Sequence, residues 1–533
     1  MDKREDDSPI EVAPIIAAPT LQVPGVLGSI VVGNSTVGNR AVRGAMILTA
    51  ATYISVLLGI VARKWLAILL IPLQFGLIQT ALSFVDLILS VASFSFSSAI
   101  INVRDNLIDE PLEYLKENIF LLTCYFGSVL SLAAIIIGAV FVKQLGGTIV
   151  LGLVSVYAVQ RFITSLDTFY TQILERELDY SKISRITLVS NILLHVAAVG
   201  IALAGFGAWS IPVATLVAAL FSYGMNSYFV RKQGMHAFHA RPWKYFRPKT
   251  VQWLWRFGLR VLLNRLFESW LFKIDNMLVL WLLGSGMLGY YSQAFAIAQM
   301  PAIALAPIVA RVSIATYAEI QHDLRRLEEA FAIINFYLIR LLVPAMIFVI
   351  VTSKDLVRVF LSSNWGEAAA PLAALAGFVI TIPLFENAKM LLGARLKLKE
   401  ISIVRGAQFV LLFVIVAAGG KMGLLFVGLA VSLVSIIGYL WIMVYVGREV
   451  SVRFRDVFAW PLLIGVFVLP LFAFVLNPLL SQRFAAGAML GDSVVRILVL
   501  GFGVLVLSIG IEFLFRPDHF KHKLKAVRSR MSA

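Results

Sequence analysis

The sequence predicts an all-α polytopic membrane protein of about 14 transmembrane helices. Three observations carry that prediction. The 533 residues are 60% hydrophobic and only 14% charged, against about 25% charged in a soluble domain. Mean hydropathy is +0.88. Apolar runs of about 20 residues, the length that crosses a bilayer, recur from residue 44 to residue 515. A chain this long and this apolar has too much apolar surface for one aqueous core, so its solvent is lipid.

The expected spans, in order, are 44–70, 76–102, 118–142, 147–173, 183–204, 207–230, 252–283, 287–315, 327–352, 367–393, 400–420, 423–446, 457–477 and 493–515. The fourth, seventh and eighth are the most polar. Pro212, Pro301, Pro307, Pro344 and Pro383 lie inside spans and predict kinks or unwound turns.

The formal net charge is +16, and its distribution sets the topology. An even number of spans puts both termini on one side. If that side is the cytoplasm, its flanks hold most of the basic residues, including the loop RKQGMHAFHARPWKYFRPK (231–249) and the tail RPDHFKHKLKAVRSR (516–530). The opposite side holds only Arg63, Lys64, Lys143, Lys354, Arg358, Lys421 and Arg483. Cytoplasmic loops are the ones that collect Lys and Arg. The expected arrangement is therefore multi-pass, with both termini cytoplasmic.

Segments of the first six spans recur in the next six. FGLIQ (75–79) matches LGYYS (288–292), ELDYSKIS (177–184) matches RLKLKEIS (395–402), and GAWSIPVATLV (207–217) matches GLLFVGLAVSL (423–433). The offsets are 213, 218 and 216 residues. Two units of even helix number enter the membrane from the same side, so an axis along the membrane normal would relate them. The expected organisation is a disordered cytoplasmic tail (1–39), helices 1–6 (40–230), a basic linker (231–250), helices 7–12 (251–447), helices 13–14 (448–515) and a basic tail (516–533). Residues 1–39 begin with mixed charge and carry Pro9, Pro14, Pro19 and Pro24, unlike a signal peptide.

Several function classes are excluded. The basic residues are scattered over short loops, which argues against nucleic-acid binding. Cys124 is the one cysteine and the six histidines are dispersed, so no metal site and no cofactor are expected. No outer loop exceeds roughly 20 residues, which leaves no place for an extramembranous catalytic domain. No catalytic residue is expected.

Four segments resemble one family. ARKWLAILLIPLQFGLIQTALSFVDLI, LERELDYSKISRITLVSNILLHVAAVGIALAGFGAWSIPVATLV, KIDNMLVLWLLGSGMLGYYSQAFAIAQMP and VFLSSNWGEAAAPLAALA are similar to successive parts of the polysaccharide transporter family. That family includes the O-antigen-type oligosaccharide flippases and lies within the multidrug/oligosaccharidyl-lipid/polysaccharide exporter superfamily. The resemblance runs in order over 41–447. One departure is Ser93-Phe94-Ser95, where the family has Asp-Phe-Gly; Asp86 lies seven residues earlier. The resemblance implies two six-helix lobes in a V around a central cavity, plus two C-terminal helices. It implies a non-enzymatic flippase that moves a polyprenyl-diphosphate-linked oligosaccharide, by alternating access, for O-antigen, exopolysaccharide or capsule biosynthesis. It implies the bacterial cytoplasmic (inner) membrane as the location, with membrane lipids as the surroundings. Whether a polysaccharide polymerase and chain-length machinery accompany it stays open.

Ionisable groups at membrane depth are costly and face a cavity or a partner, so they mark the candidate site. Arg256, Arg260, Asn264, Glu268 and Asp275 fall within about 120° of arc on the seventh span. This stripe reads either as a cavity wall, with the guanidiniums on the diphosphate, or as an internal ladder against a neighbouring helix. Arg161 and Asp167 are six residues apart on the fourth span, poor partners on one helix, so Arg161 should find a partner elsewhere. Arg340, beside Pro344, is a further substrate-binding candidate with Arg161, Arg256, Arg260 and Asn264. Asp86, Asp167, Glu268, Asp275 and Glu386 are the coupling or gating candidates. His195 reads more readily as a packed residue than as a proton relay. Two other functions compete: a cation-coupled drug exporter of the same fold, and a membrane-embedded glycan polymerase or ligase.

Overall fold

The computed structural model describes residues 36–90, 100, 112–177, 179–232, 246–451, 460–483 and 490–515. Residues 1–35 and 516–533 of the expected tails, most of the 231–249 loop and Ser93-Phe94-Ser95 lie outside them; Thr36–Asn39, expected in the disordered tail, instead form the first turn of α1. Among the described residues all regular structure is helical. In chain order the principal helices are α1 (Thr36–Leu69), α2 (Pro72–Leu89), α3 (Leu112–Val140), α4 (Thr148–Arg176), α5 (Tyr180–Leu203) and α6 (Ser210–Lys232). Then come α7 (Pro248–Leu271), α8 (Ile274–Leu283), α9 (Ser285–Ala298), α10 (Met300–Ile320), α11 (Leu324–Phe360) and α12 (Ala369–Ala374). The last are α13 (Ala376–Ala394), α14 (Leu398–Gly419), α15 (Leu424–Glu449), α16 (Trp460–Pro470), α17 (Asn477–Arg483) and α18 (Leu490–Phe515).

Twelve segments among the described residues are long and apolar enough to cross a membrane. They correspond to twelve of the spans read from the sequence. The seventh and eighth differ. The seventh is broken between α7 and α8 at Phe272 and Lys273, and the eighth is broken between α9 and α10 at Gln299. Broken helices at membrane depth survive where protein or a water-lined space, rather than lipid, meets the freed backbone groups. The charge on the seventh span and Pro301 at the start of α10 are the sequence features at these breaks.

The packing of the first six spans is repeated in the next six. α1 packs on α5, α5 on α6, α6 on α4, and α4 on α2 and α3. In the second set α7 packs on α14, α14 on α15, α15 on α13, and α13 on α10 and α11. α16 and α18 add a terminal pair against α11, fastened by the Arg496 Nη2–Asp355 Oδ2 ion pair at 3.3 Å and by Arg496 to Asn477 Oδ1 at 2.6 Å. A π-helical turn, Leu471–Leu476, joins α16 to α17. The outer surface is apolar: Leu57, Val140, Val196, Phe474 and Phe502 are all more than 60% exposed, as a lipid-facing wall requires.

The two sets meet most closely where α2 crosses α9. A Cβ on Gly76 would fall inside the carbonyl of Ser285, and a Cβ on Gly289 inside the carbonyl of Pro72. Only glycine allows backbones this near, the device by which membrane helices associate without a hydrophobic driving force. The contact is reciprocal. Both Pro72 to Ser285 and Gly76 to Gly289 are separated by 213 residues, one of the offsets of the sequence repeat. Equivalent surfaces thus face each other, as in an isologous dimer.

Candidate functional site

From Pro72, α2 runs antiparallel to the segment that contains the α7–α8 break, and three side-chain rungs join them. Trp270 Nε1 donates to Ser90 Oγ at 2.7 Å. Lys273 Nζ meets Asp86 Oδ2 at 3.0 Å. Asn276 Nδ2 donates to Ser83 Oγ at 3.2 Å. Positions 83, 86 and 90 lie on one helical face, and 276, 273 and 270 answer them in reverse order. The break gives the middle rung its reach, because Lys273 is the non-helical residue that caps α8.

Asp86 carries a second cation. Arg161 of α4 grips its Oδ1 through Nη2 at 2.6 Å and Nε at 2.8 Å. One carboxylate therefore serves two cations, and these three side chains carry a net charge of +1, with the buried Asp275 carboxyl two residues from Lys273 and within its electrostatic reach. The depth of the cluster follows from helix rise. Asp86, Arg161 and Lys273 lie roughly 15–21 Å along their helices from the end of the bundle where α2 begins, near the middle of a hydrocarbon core about 30 Å thick. The cluster is partly open: the side chains of Arg161, Lys273 and Asp86 are 35%, 25% and 13% exposed.

A second charged network lies within the later helices, and among the described residues its two acids and two bases balance. Lys389 of α13 pairs with Glu268 of α7 at 3.0 Å and with Glu386, one turn away, at 2.8 Å. Arg405 of α14 lies 3.8 Å from both carboxylates, donates to Gln408 Oε1, and stacks 3.6 Å above the Phe385 ring. Two acids and two bases thus tie α7, α13 and α14 together. A small cavity lined in part by Phe272, Asp275, Thr381, Arg405 and Gln408 borders both this network and the helix break.

The sequence candidates separate into groups. Asp86 and Arg161 meet each other, which supplies the partner that Arg161 lacked on its own helix. Glu268 and Glu386 share the neutral network. Asp167 stays inside the first six helices, accepting from Ser222 Oγ and Asn226 Nδ2, both at 2.7 Å, and fastens α4 to α6. Asp275 is buried and accepts from the Tyr291 hydroxyl at 2.7 Å, which joins α8 to α9. Arg340 Nη1 donates to the Phe336 carbonyl, one turn earlier, and lies over that residue's ring. His195 packs against Gly59 of α1. The side chains of Arg256, Arg260 and Asn264 lie outside the described residues. Lys273, Lys389 and Arg405 are absent from the sequence candidates, yet the rule that selected Arg161 applies to each of them; the Glu386–Lys389 spacing of one turn was a second signal.

The end of the bundle where α2 begins is sealed. Above the Gly76–Gly289 crossing, the fully buried Trp365 donates from Nε1 to the Ala67 carbonyl at 2.9 Å and meets the rings of Phe75 and Tyr290 edge-on. Arg63 Nη1 reaches Gln293 Oε1 at 2.8 Å and Lys64 Nζ the Arg358 carbonyl at 2.9 Å. Helix alternation puts the end of α6 and the start of α7 at the opposite end.

A family described as "Polysaccharide biosynthesis protein" matches residues 65–370, more than half of the chain and the stretch that holds Asp86, Arg161 and Lys273. The chain belongs to this polysaccharide biosynthesis protein family. Among its relatives, lipopolysaccharide biosynthesis protein WzxC of Escherichia coli (strain K12) is 22% identical over 63% of this chain and 66% of its own length. Succinoglycan biosynthesis transport protein ExoT of Rhizobium meliloti (strain 1021) is 25% identical over 58% of this chain and 60% of its own. The chain thus spans a little under two thirds of these relatives. Lipid II flippase MurJ, in an inward closed conformation, is similar in structure with a TM-score of 0.67 at 15% identity, covering 89% of this chain and 99% of MurJ. An inward-facing multidrug resistance MATE transporter gives a TM-score of 0.60 at 15% identity, covering 74% of this chain and 95% of its own. These likenesses establish the fold of this member of the polysaccharide biosynthesis protein family as a polytopic all-α membrane protein.

Proposed function

We propose that this chain is a flippase that carries a polyprenyl-diphosphate-linked oligosaccharide from the cytoplasmic to the outer leaflet for surface polysaccharide synthesis. The observation that carries the reading is the cation surplus at mid-membrane between the two sets of helices, where Arg161 and Lys273 share the single carboxylate of Asp86. Guanidinium and ammonium groups suit phosphate oxygens, and a cationic drug would find the wrong sign here. The names of WzxC, ExoT and MurJ point the same way.

In this reading the repeated helix sets are two lobes, and the Gly76–Gly289 crossing closes the external side. The 231–249 loop and the termini face the cytoplasm. The sugar head passes between the lobes while the prenyl tail stays in lipid, and a polymerase with its chain-length machinery would use what is delivered. The chain itself is a transporter rather than an enzyme.

The test is the leaflet on which the glycan carrier accumulates in a deletion strain. Complete oligosaccharide held on the cytoplasmic leaflet, rescued by the wild-type gene and not by Arg161→Ala, is the expected result. Normal delivery with altered chain length or ligation would overturn the reading in favour of an enzyme or an accessory protein.

A further inference from the structure

Of the three rungs between α2 and the α7–α8 segment, only the middle one is ionic. Trp270–Ser90 and Asn276–Ser83 are neutral hydrogen bonds, which an incoming anion leaves alone. Lys273–Asp86 is an ion pair, and an anion competes for it directly. Asp86 is also fully subscribed. Its Oδ1 takes both contacts from Arg161 and its Oδ2 takes Lys273. It presents to two cations, from two different helix sets, the kind of oxygen array that a phosphoryl group presents.

A carrier of anions faces a problem that its cargo does not solve. After delivery it must return empty, and two bare cations at mid-membrane are costly to leave unpaired. A fixed counter-anion removes that cost. Resting on the flippase reading above, we infer that Asp86 is the site's own counter-anion. It pairs Arg161 and Lys273 while the site is empty, the diphosphate of the lipid carrier displaces it, and it returns when the cargo leaves. Loading thereby undoes the ionic rung of the three and leaves the two neutral ones, so cargo binding loosens this part of the seam by a single defined contact. The carboxylate weakens binding in order to permit release and return.

The two halves of that statement predict opposite signs in binding and in turnover. With full-length protein in nanodiscs and undecaprenyl diphosphate or inorganic pyrophosphate as probe, Asp86→Asn should bind about tenfold more tightly than wild type. Lys273→Gln should bind more weakly, and the double variant should fall between the two single variants, since the two changes oppose each other. In cells, Asp86→Asn should export less glycan at equal protein level, despite its tighter binding. Asp86→Glu keeps the charge and should stay near wild type in affinity. If Asp86→Asn does not fold, Asp86→Ser carries the same test. Binding no tighter than wild type, or export at the wild-type rate, would overturn the counter-anion while leaving the flippase reading intact. No binding of either probe by wild type, together with normal leaflet distribution in the deletion strain, would remove both.

Discussion

Gly76→Ala tests the helix crossing with the smallest possible change. The added methyl would meet the Ser285 carbonyl, and Gly289 N lies at 3.2 Å. Both obstacles are backbone, so no side chain can swing aside. Ordinary van der Waals contact requires α2 and α9 to part by roughly 1.5 Å. Overpacking of this kind costs about 1–3 kcal/mol, offset by about 1 kcal/mol that alanine gains over glycine within a helix. The net cost, up to about 2 kcal/mol, moves the sealed-to-open equilibrium by up to about 30-fold. Gly289→Ala should do the same, because its methyl meets the Pro72 carbonyl. Gly286→Ala on the same α9 helix meets nothing within 4 Å and supplies the control. The assay is labelling by a membrane-impermeant maleimide of a cysteine placed at Ala67, beneath Trp365, with Cys124 replaced. Labelling should quicken in Gly76→Ala and Gly289→Ala and stay slow in Gly286→Ala. Equal labelling in all three, with unchanged melting temperatures, would refute the close crossing.

Other consequences can be checked in the same way. Lys389→Met leaves Glu268 and Glu386 with Arg405 as their one remaining ion-pair partner among the described contacts, at 3.8 Å; a loss of about 3–5 kcal/mol is expected for breaking a buried network, read as a lower melting temperature in detergent. Arg496→Met should detach the terminal helices from α11 at a similar cost, seen as faster proteolysis between α17 and α18. Asp167→Asn should be mild, because its partners Ser222 and Asn226 are neutral and can hydrogen-bond an amide; export within twofold of wild type is expected, and a complete loss would restore Asp167 as a coupling group. Trp365→Phe removes the bond to the Ala67 carbonyl and should lower stability by about 1 kcal/mol while it speeds labelling at position 67.

The sequence made the membrane fold legible because length and apolarity decide it with few alternatives. The repeat was legible at FGLIQ and LGYYS, and the structure shows why those strings persist: they flank the glycines of the crossing. The seventh and eighth spans read as polar, and there both helices break. What could not be read was pairing across the sequence. Asp86 and Arg161 are 75 residues apart and Glu268 and Lys389 are 121 apart, and no local period links such positions. A stripe on one helix fixes which face is polar and leaves open which neighbour answers it. Glu268 illustrates this: its polar stripe was visible, while its partners come from α13 and α14. Lys273 was hidden for another reason, since it acts from a break in the helix rather than from a helical face.

Equivalent surfaces within one chain have a freedom that a homodimer lacks, because each can mutate alone. At the crossing the two surfaces have kept their glycines. A short way along the same helices they have diverged: the position 213 residues after Asp86 is Gln299, and the position 213 before Lys273 is Ile60. Duplication of the frame thus supplies matched walls, and divergence has put the excess charge on one seam of the pair. A homodimer built from either half would present its charges twice, in copies related by the two-fold axis, and would hold two anions or none. On the flippase reading, the fused chain holds one. A cargo with a single charged joint between a sugar end and a lipid end has no symmetry of its own, and a one-sided seam gives it a single orientation in which to bind.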